Sequence, residues 1–307
     1  MGAESAGTER PRGWSGAGSD STESAGTGHL SDLVGTQVLE MEPVGGGDIC
    51  AAFRATLADG RAVFVKTRES APPGFFATEA AGLTQLRAIR DGVSAPAVLA
   101  YDDHSLALEW ISPGPPSADA AERFGRTLAA THAAGAPTFG SADGDGWIGT
   151  LVLPGGPWDS WTDMWAQGRV LPYLRAAVDA GAIRAKDAYD VERLMGDLDQ
   201  RAGPHGPPAL IHGDLWAGNV VWCADGTAHL VDPAVHGGHR ETDLAMLDLF
   251  GFPYLDRVLA AYHEAAPLTD GWRRRMALHQ LHPVLVHAVL FGGSYGAQAG
   301  RLARSLR

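Results

Sequence analysis

Only two of the 307 residues are cysteine, Cys50 and Cys223, and they stand far apart in the chain. So sparse a pair excludes a disulfide framework and predicts two reduced thiols. Long apolar runs are missing as well. No stretch is long enough to span a bilayer as a helix, and the N-terminus lacks the apolar core of a secretory signal. The expected setting is therefore the cytoplasm, with no membrane partner. Basic residues are the minority: 24 Lys and Arg against 36 Asp and Glu give a formal net charge of -12. A phosphate backbone needs a basic face, so nucleic acid is not an expected partner. A nucleotide needs only a few local cations and stays possible.

What is present is the composition of a globular chain, 45% hydrophobic and 20% charged, long enough for one large domain or two lobes. Residues 1–28 are rich in Gly, Ser, Ala and Thr without apolar periodicity, which predicts a disordered tail. From 29 to 111 the pattern predicts a small β-rich lobe. A glycine cluster, Gly45-Gly46-Gly47, precedes a strand from Ala51 to Leu57. The turn Asp59-Gly60 then leads to a second strand ending at Lys66-Thr67. A helical pattern runs from Phe75 to Arg87. Two more strands flank the turn Asp102-Asp103-His104, and the second of them ends in Glu109-Trp110-Ile111. The segment Ser112-Pro113-Gly114-Pro115-Pro116 marks a boundary. Residues 112–307 read as a larger, mostly helical lobe, with Ser117 capping its first helix. The fold class expected is α+β.

The densest chemistry lies in His212-Gly213-Asp214-Leu215-Trp216-Ala217-Gly218-Asn219, between two short apolar strands, with Asp232 at the end of the next strand. A hairpin from Asn219 to Asp232 would bring those side chains together, with Asp214 across the loop. Phosphoryl transfer needs this set: one carboxylate to accept the attacking hydroxyl's proton, and an amide oxygen with a second carboxylate to hold Mg2+ on the phosphates of ATP. An Asp followed by four residues and an Asn is the spacing of the kinase catalytic loop, with Gly213 in place of the usual Arg. Lys66 ends a strand after the glycine cluster, where backbone N–H groups and an ammonium can meet phosphates. Phe76, Glu79, Leu83 and Leu86 share one helix face, so Glu79 sits in an apolar stripe and needs a partner. Lys66 is the candidate. The backbone of Glu109, Trp110 and Ile111 is placed to hydrogen-bond a flat base. Asp243, at a helix start, reads as an acid that favours the helix dipole or holds the catalytic loop in place, rather than as a reacting group. His239 and Arg240 follow Asp232 closely and are candidates for touching the acceptor, whereas His279, His282 and His287 read as packed or solvent-facing rather than metal-binding. Cys50 reads as an inert small residue.

These segments resemble the fructosamine kinase (ketosamine 3-kinase) family over most of the chain. The resemblance rests on Gly46-Gly47-Asp48-Ile49, Phe64-Val65-Lys66, Glu79 with Gly82-Leu83, Trp147-Ile148-Gly149, the loop from His212 to Asn219 and Asp232-Pro233-Ala234-Val235. Gly238-His239-Arg240-Glu241-Thr242-Asp243 and Leu290-Phe291-Gly292-Gly293-Ser294-Tyr295 extend it. It implies a two-lobed protein-kinase-like fold that uses ATP and Mg2+ to phosphorylate the sugar O3 of a fructosamine or ribulosamine, free or protein-bound, giving an adduct that releases its amine. By position, Asp214 resembles the catalytic base, Asn219 and Asp232 the metal ligands, and Lys66 with Glu79 the phosphate-positioning pair. Trp216 sits where it could stack on the sugar. Two positions depart from the family pattern: Cys50 in the glycine loop, and His236-Gly237 before Gly238. The residues alone leave open a kinase of the same fold acting on an aminoglycoside or amino alcohol. A nucleotide-binding protein without catalysis is a third reading, which the complete set of Lys66, Asp214, Asn219 and Asp232 argues against.

Overall fold

The computed structural model describes residues 19–45 and 49–306. The first lobe opens with helix α1 (Ser19–Val34) and a sheet of β1 (Val38–Pro43), β2 (Ala51–Leu57), β3 (Ala62–Thr67), β4 (Val98–Tyr101) and β5 (Ser105–Glu109). All its pairings are antiparallel, in the spatial order β1-β2-β3-β5-β4. Helix α2 (Phe75–Arg87) lies between β3 and β4 in the chain. Side chains alternate across a strand, and β3 uses both faces. Val63 and Val65 pack with Ala55, Leu57 and Val38 against Leu30 of α1. Phe64, Leu106 and Leu108 turn the other way, toward Phe76, Leu83 and Leu86 of α2. Lys66 lies on that second face, two residues beyond Phe64.

The first lobe corrects one expectation. A tail was expected through residue 28, yet α1 begins at Ser19. Tertiary contacts override the weak local signal. Leu30 is buried, His29 pairs with Asp102 at 2.7 Å, and the Ser31 hydroxyl both donates to Thr27 O and accepts from Val38 N. Residues 1–18 lie outside the described residues.

The second lobe starts with α3 (Ala118–Ala133), capped by the Ser117 hydroxyl, which accepts from Ala120 N at 3.2 Å. A hairpin follows, β6 (Gly146–Ile148) with β7 (Leu151–Leu153). Helix α4 (Trp161–Asp163) passes through a π-helical segment, Met164–Val170, into α5 (Leu171–Asp179); α6 (Ala185–Gly196) and α7 (Leu198–Arg201) come next. Then come β8 (Ala209–Ile211), β9 (Val220–Trp222), β10 (Ala228–Leu230) and β11 (His236–Gly238). They form two antiparallel ladders, β9 with β10 and β8 with β11. The chain closes with α8 (Arg240–Leu249), α9 (Leu255–Ala265), α10 (Trp272–His279), α11 (Leu281–Phe291) and α12 (Tyr295–Ser305).

One apolar cluster runs from the first lobe into the second. It joins Phe76, Leu83 and Leu106 to Phe124, Trp222, Leu230 and Leu244. The linker is pinned to the same place: Gly114 N donates to Trp222 O at 2.6 Å, and Pro113 bridges Cys223. The ends of β3, β8, β9 and β10 are thereby fixed around one cleft.

Candidate active site

The loop His212–Asn219 leaves β8 under strict control. The Asp243 carboxylate, on the first turn of α8, accepts from His212 N at 2.7 Å and from Gly213 N at 3.0 Å. Burial alone would raise the Asp243 pKa, but hydrogen bonds from His132 and His212 N, with the neighbouring histidine charges, hold it below the usual carboxylate range. Of the two structural roles expected for Asp243, its contacts with the loop show the second. The His212 ring spans the loop, with Nε2 3.0 Å from Val231 O and Nδ1 3.2 Å from Asp214 N.

Asp214 and Asn219 then meet. Asn219 Nδ2 donates to Asp214 O at 2.8 Å and to Asp214 Oδ2 at 3.1 Å. Burial, with the charge of Asp232 adding to it, pushes the Asp214 carboxyl up to about 7 against the pull of the Asn219 hydrogen bond. A carboxyl poised near neutrality suits a general base. The β9–β10 hairpin returns the chain to Asp232, with Val231 N bonded to Asn219 O at 3.0 Å and Asn219 Nδ2 3.5 Å from Asp232 O. Asp232 itself sits in the left-handed region, φ 54°. Its carboxylate pairs with the Lys66 ammonium, which also binds Glu79 Oε1 at 2.8 Å. Burial would lower the Lys66 pKa, but the two carboxylates outweigh it and raise it, so the lysine stays charged. Lys66, Glu79, Asp214, Asn219 and Asp232 form one connected group.

The remaining nucleotide-side expectations divide. Gly45 is open, with nothing near the place a Cβ would take, and Val44 N donates to Ala52 O at the base of its loop. Gly46 and Gly47 lie outside the described residues. Glu109 is corrected in part: its N–H already donates to Ala97 O, and its carboxylate accepts from Ala97 N at 3.1 Å. Trp110 and Ile111 lie beyond the end of β5, with the Trp110 ring 6.5 Å from Phe64 and 5.4 Å from the Arg54 guanidinium. Cys50 is half-buried, and burial pushes its thiol up, in keeping with an inert side chain.

On the acceptor side, Trp216 is 39% exposed. Its ring meets Phe250 edge-on at 6.2 Å, and Phe250 lies 4.9 Å from His287, which touches Phe291 and Tyr295 at 5.4 and 5.1 Å. This aromatic wall beside Asp214 was missed as a unit. Leu290-Phe291-Gly292-Gly293-Ser294-Tyr295 was the available signal, recognised as a motif without a role. His239 and Arg240 require a correction. β11 runs antiparallel to β8, with His236 opposite Ile211 and Gly238 opposite Ala209. The chain therefore carries residues 239 and 240 to the far end of the ladder from Asp214. His239 is buried and caps α8, accepting from Glu241 N at 3.1 Å, while Arg240 donates to Ala266 O and Pro267 O. Neither faces the cleft. His279 and His282 are packed in the core, one of the two settings expected for them. Glu241 accompanies His279 and His239 closely enough to suggest a metal cluster. Arg275 already occupies both Glu241 oxygens, at 2.6 and 2.9 Å, and no cation is needed there.

The fructosamine kinase family model matches residues 24–306. This chain belongs to the fructosamine kinase family. A probable ketoamine kinase of Enterococcus faecium is 34% identical over 268 residues, covering 85% of this chain and 92% of that protein. Another from Thermus thermophilus is 36% identical over 260 residues, covering 82% and 88%. Among solved structures, one from Thermobifida fusca assigned to the fructosamine-3-kinases superposes with a TM-score of 0.87 at 47% identity, covering 91% of this chain and 97% of that one. A macrolide 2'-phosphotransferase, at 17% identity and a TM-score of 0.60, shares the protein-kinase-like fold alone. Family and fold together make this fructosamine kinase homologue an ATP-dependent small-molecule phosphotransferase. Among the described residues no helix is long and apolar enough to cross a membrane.

Proposed function

We propose that the protein transfers the γ-phosphoryl group of ATP to the O3 hydroxyl of a ketosamine. The observation that carries this reading is the convergence of Asp214, Asn219 and Asp232 on the Lys66–Glu79 pair. The donor set suits Mg2+. Asn219 turns its amide N–H groups toward Asp214, leaving its carbonyl oxygen for a cation, and the Asp232 carboxylate, 42% exposed, offers hard oxygen beside it. Those two residues would hold Mg2+, which when bound neutralises phosphate charge.

The rest of the chemistry belongs to the chain's own side chains. Lys66, fixed by Glu79, holds phosphate oxygens. Asp214 takes the proton of the attacking hydroxyl. Asp243 keeps the loop backbone, and hence Asp214, at a set position. Trp216 and Phe250 offer a face on which a sugar ring can lie while the amine-bearing end extends along His287 and Tyr295. The family match and the relatives' names support the ketosamine as acceptor.

The test is ADP release with fructosyl-lysine, with the phosphorylated carbon located by 31P–1H correlation. Phosphate at C3 is expected. Asp214→Asn should lower kcat by roughly 10²–10⁴-fold with little change in KM for ATP, since only the proton acceptor is lost. Turnover with amino alcohols or aminoglycosides but none with the ketosamine would overturn the acceptor assignment.

A further inference from the structure

The displaced pair His239 and Arg240 opens onto a second site. At the far end of the β8–β11 ladder from Asp214, the second lobe holds a cavity of about 350 Å³. Its walls come from the end of α3, the segment leading into β8, the start of α8, and Tyr262 of α9.

One wall is wired to the catalytic loop. The Tyr262 hydroxyl is 2.8 Å from His132 Nδ1, and His132 Nε2 is 3.1 Å from Asp243 Oδ2. Asp243 is the group that holds the N–H groups of His212 and Gly213. His132 lines the cavity beside Tyr262, so two buried side chains, His132 and Asp243, join the cavity to the residue next to Asp214.

Charge selects the occupant. An arginine and a carboxylate line the cavity, Arg240 and Glu241, together with the imidazoles of His132, His205 and His239. Glu241 is matched fork to fork by Arg275. Arg240 has no acidic partner at ion-pair distance among the described residues; backbone carbonyls at 3.4 and 2.5 Å take two of its N–H groups, and its guanidinium also interacts with the Tyr262 hydroxyl. A guanidinium carries five donors, more than these three partners use. The surroundings are largely apolar, including Ala129, Ala133, Pro208 and Ala266. A cation above apolar walls fits a carboxylate on a small apolar body.

We propose that this cavity binds a small carboxylic acid, its carboxylate on Arg240 and its body against Ala133 and Pro208, and that occupancy acts on the catalytic loop through Tyr262, His132 and Asp243. An occupant that shifts Tyr262 or His132 shifts Asp243, and with it the backbone that positions Asp214. The effect falls on kcat rather than on KM for ATP.

Benzoate is the probe, with binding to the full chain followed by saturation-transfer NMR and thermal shift, in the presence and absence of Mg-ATP and fructosyl-lysine. Saturable binding that neither substrate displaces is expected. Ala133→Trp, at an exposed position on the cavity's edge, should weaken it roughly tenfold or more, as should Arg240→Gln. Arg240 also ties down the segment after α9, so Ala133→Trp keeps the test open if the Gln variant folds poorly. No binding to the wild type, displacement by either substrate, or unchanged binding in Ala133→Trp would each overturn the site. Saturating benzoate that leaves kcat unaltered would overturn the coupling. The binding measurement needs no turnover, so its failure leaves the ketosamine reading untouched.

Discussion

A methyl group added at residue 213 would sit 2.2 Å from the carbonyl oxygen of Ala234, on a backbone whose φ is 83°. Both facts demand glycine: the left-handed conformation is strained for any Cβ-bearing residue, and the clash is with main chain that cannot rotate away. Ala234 N in turn donates to His212 O, so relief of the clash would pull the loop from β11. Gly213→Ala should therefore lower kcat on the order of 10²-fold by misplacing Asp214, and should cost about 1–3 kcal/mol of stability. Steady-state kinetics and urea unfolding check it; wild-type values in both would show that the loop tolerates the methyl group. Asp214, Asn219 and Asp232 were legible in the sequence because their spacing and the strands beside them define a local hairpin. The need for Gly213 was not, since the obstructing carbonyl comes from another segment.

Elements differ in how much of their reason is local. α2 was legible from its apolar stripe, and the Lys66–Glu79 pair followed because a carboxylate in that stripe requires a cation. β11 was not: His236-Gly237-Gly238 has no strand-forming residue and is extended because β8 pairs with it. Missing that strand hid the direction in which His239 and Arg240 leave the site. α1 was missed for a similar reason. Its sequence is a poor helix on its own, and its stability comes from covering the Val63 and Val65 face of the sheet. Leu30 is its buried anchor, 2% exposed. Leu30→Ala should cost about 2–4 kcal/mol, from lost burial plus the cavity left between helix and sheet. Urea denaturation measures this, and amide exchange should show β1–β3 losing protection first. An unchanged midpoint would mean that α1 contributes nothing to the lobe.

Across the whole molecule, an unusual share of the histidine lies in the interior. His236 and His239 are buried, and burial, helped by the nearby charges of Arg169 and His279 respectively, depresses them to about 3. Burial lowers His212, His279 and His282 in the same direction. An unfolded histidine titrates near 6.5. Below that pH the unfolded chain binds protons that the folded chain refuses, so stability must fall as pH falls, and the loss continues until the folded values are reached. For His236 and His239 the window runs from about 6.5 down to about 3, and each contributes a loss of about 2 kcal/mol between pH 7 and pH 5. Glu241, which Arg275 and His279 hold at about 2 despite burial, adds a loss of the same sign, but only below its unfolded value near 4.3. Asp214, raised to about 7, works the other way: from pH 7 to pH 5 the folded chain takes up a proton there that the unfolded chain does not, which offsets about one histidine's loss, so the net fall rests on the remaining buried histidines. Unfolding free energies from urea titrations should fall from pH 7 to pH 5 by a net of about 2 kcal/mol or more, in a protein whose net stability is on the order of 5–15 kcal/mol. Replacing His236 by Asn should flatten that slope by about one proton's worth, roughly 1.4 kcal/mol per pH unit, even if the variant is less stable at pH 7. A midpoint that holds constant down to pH 5 would mean that the interior histidines take up protons without unfolding the chain.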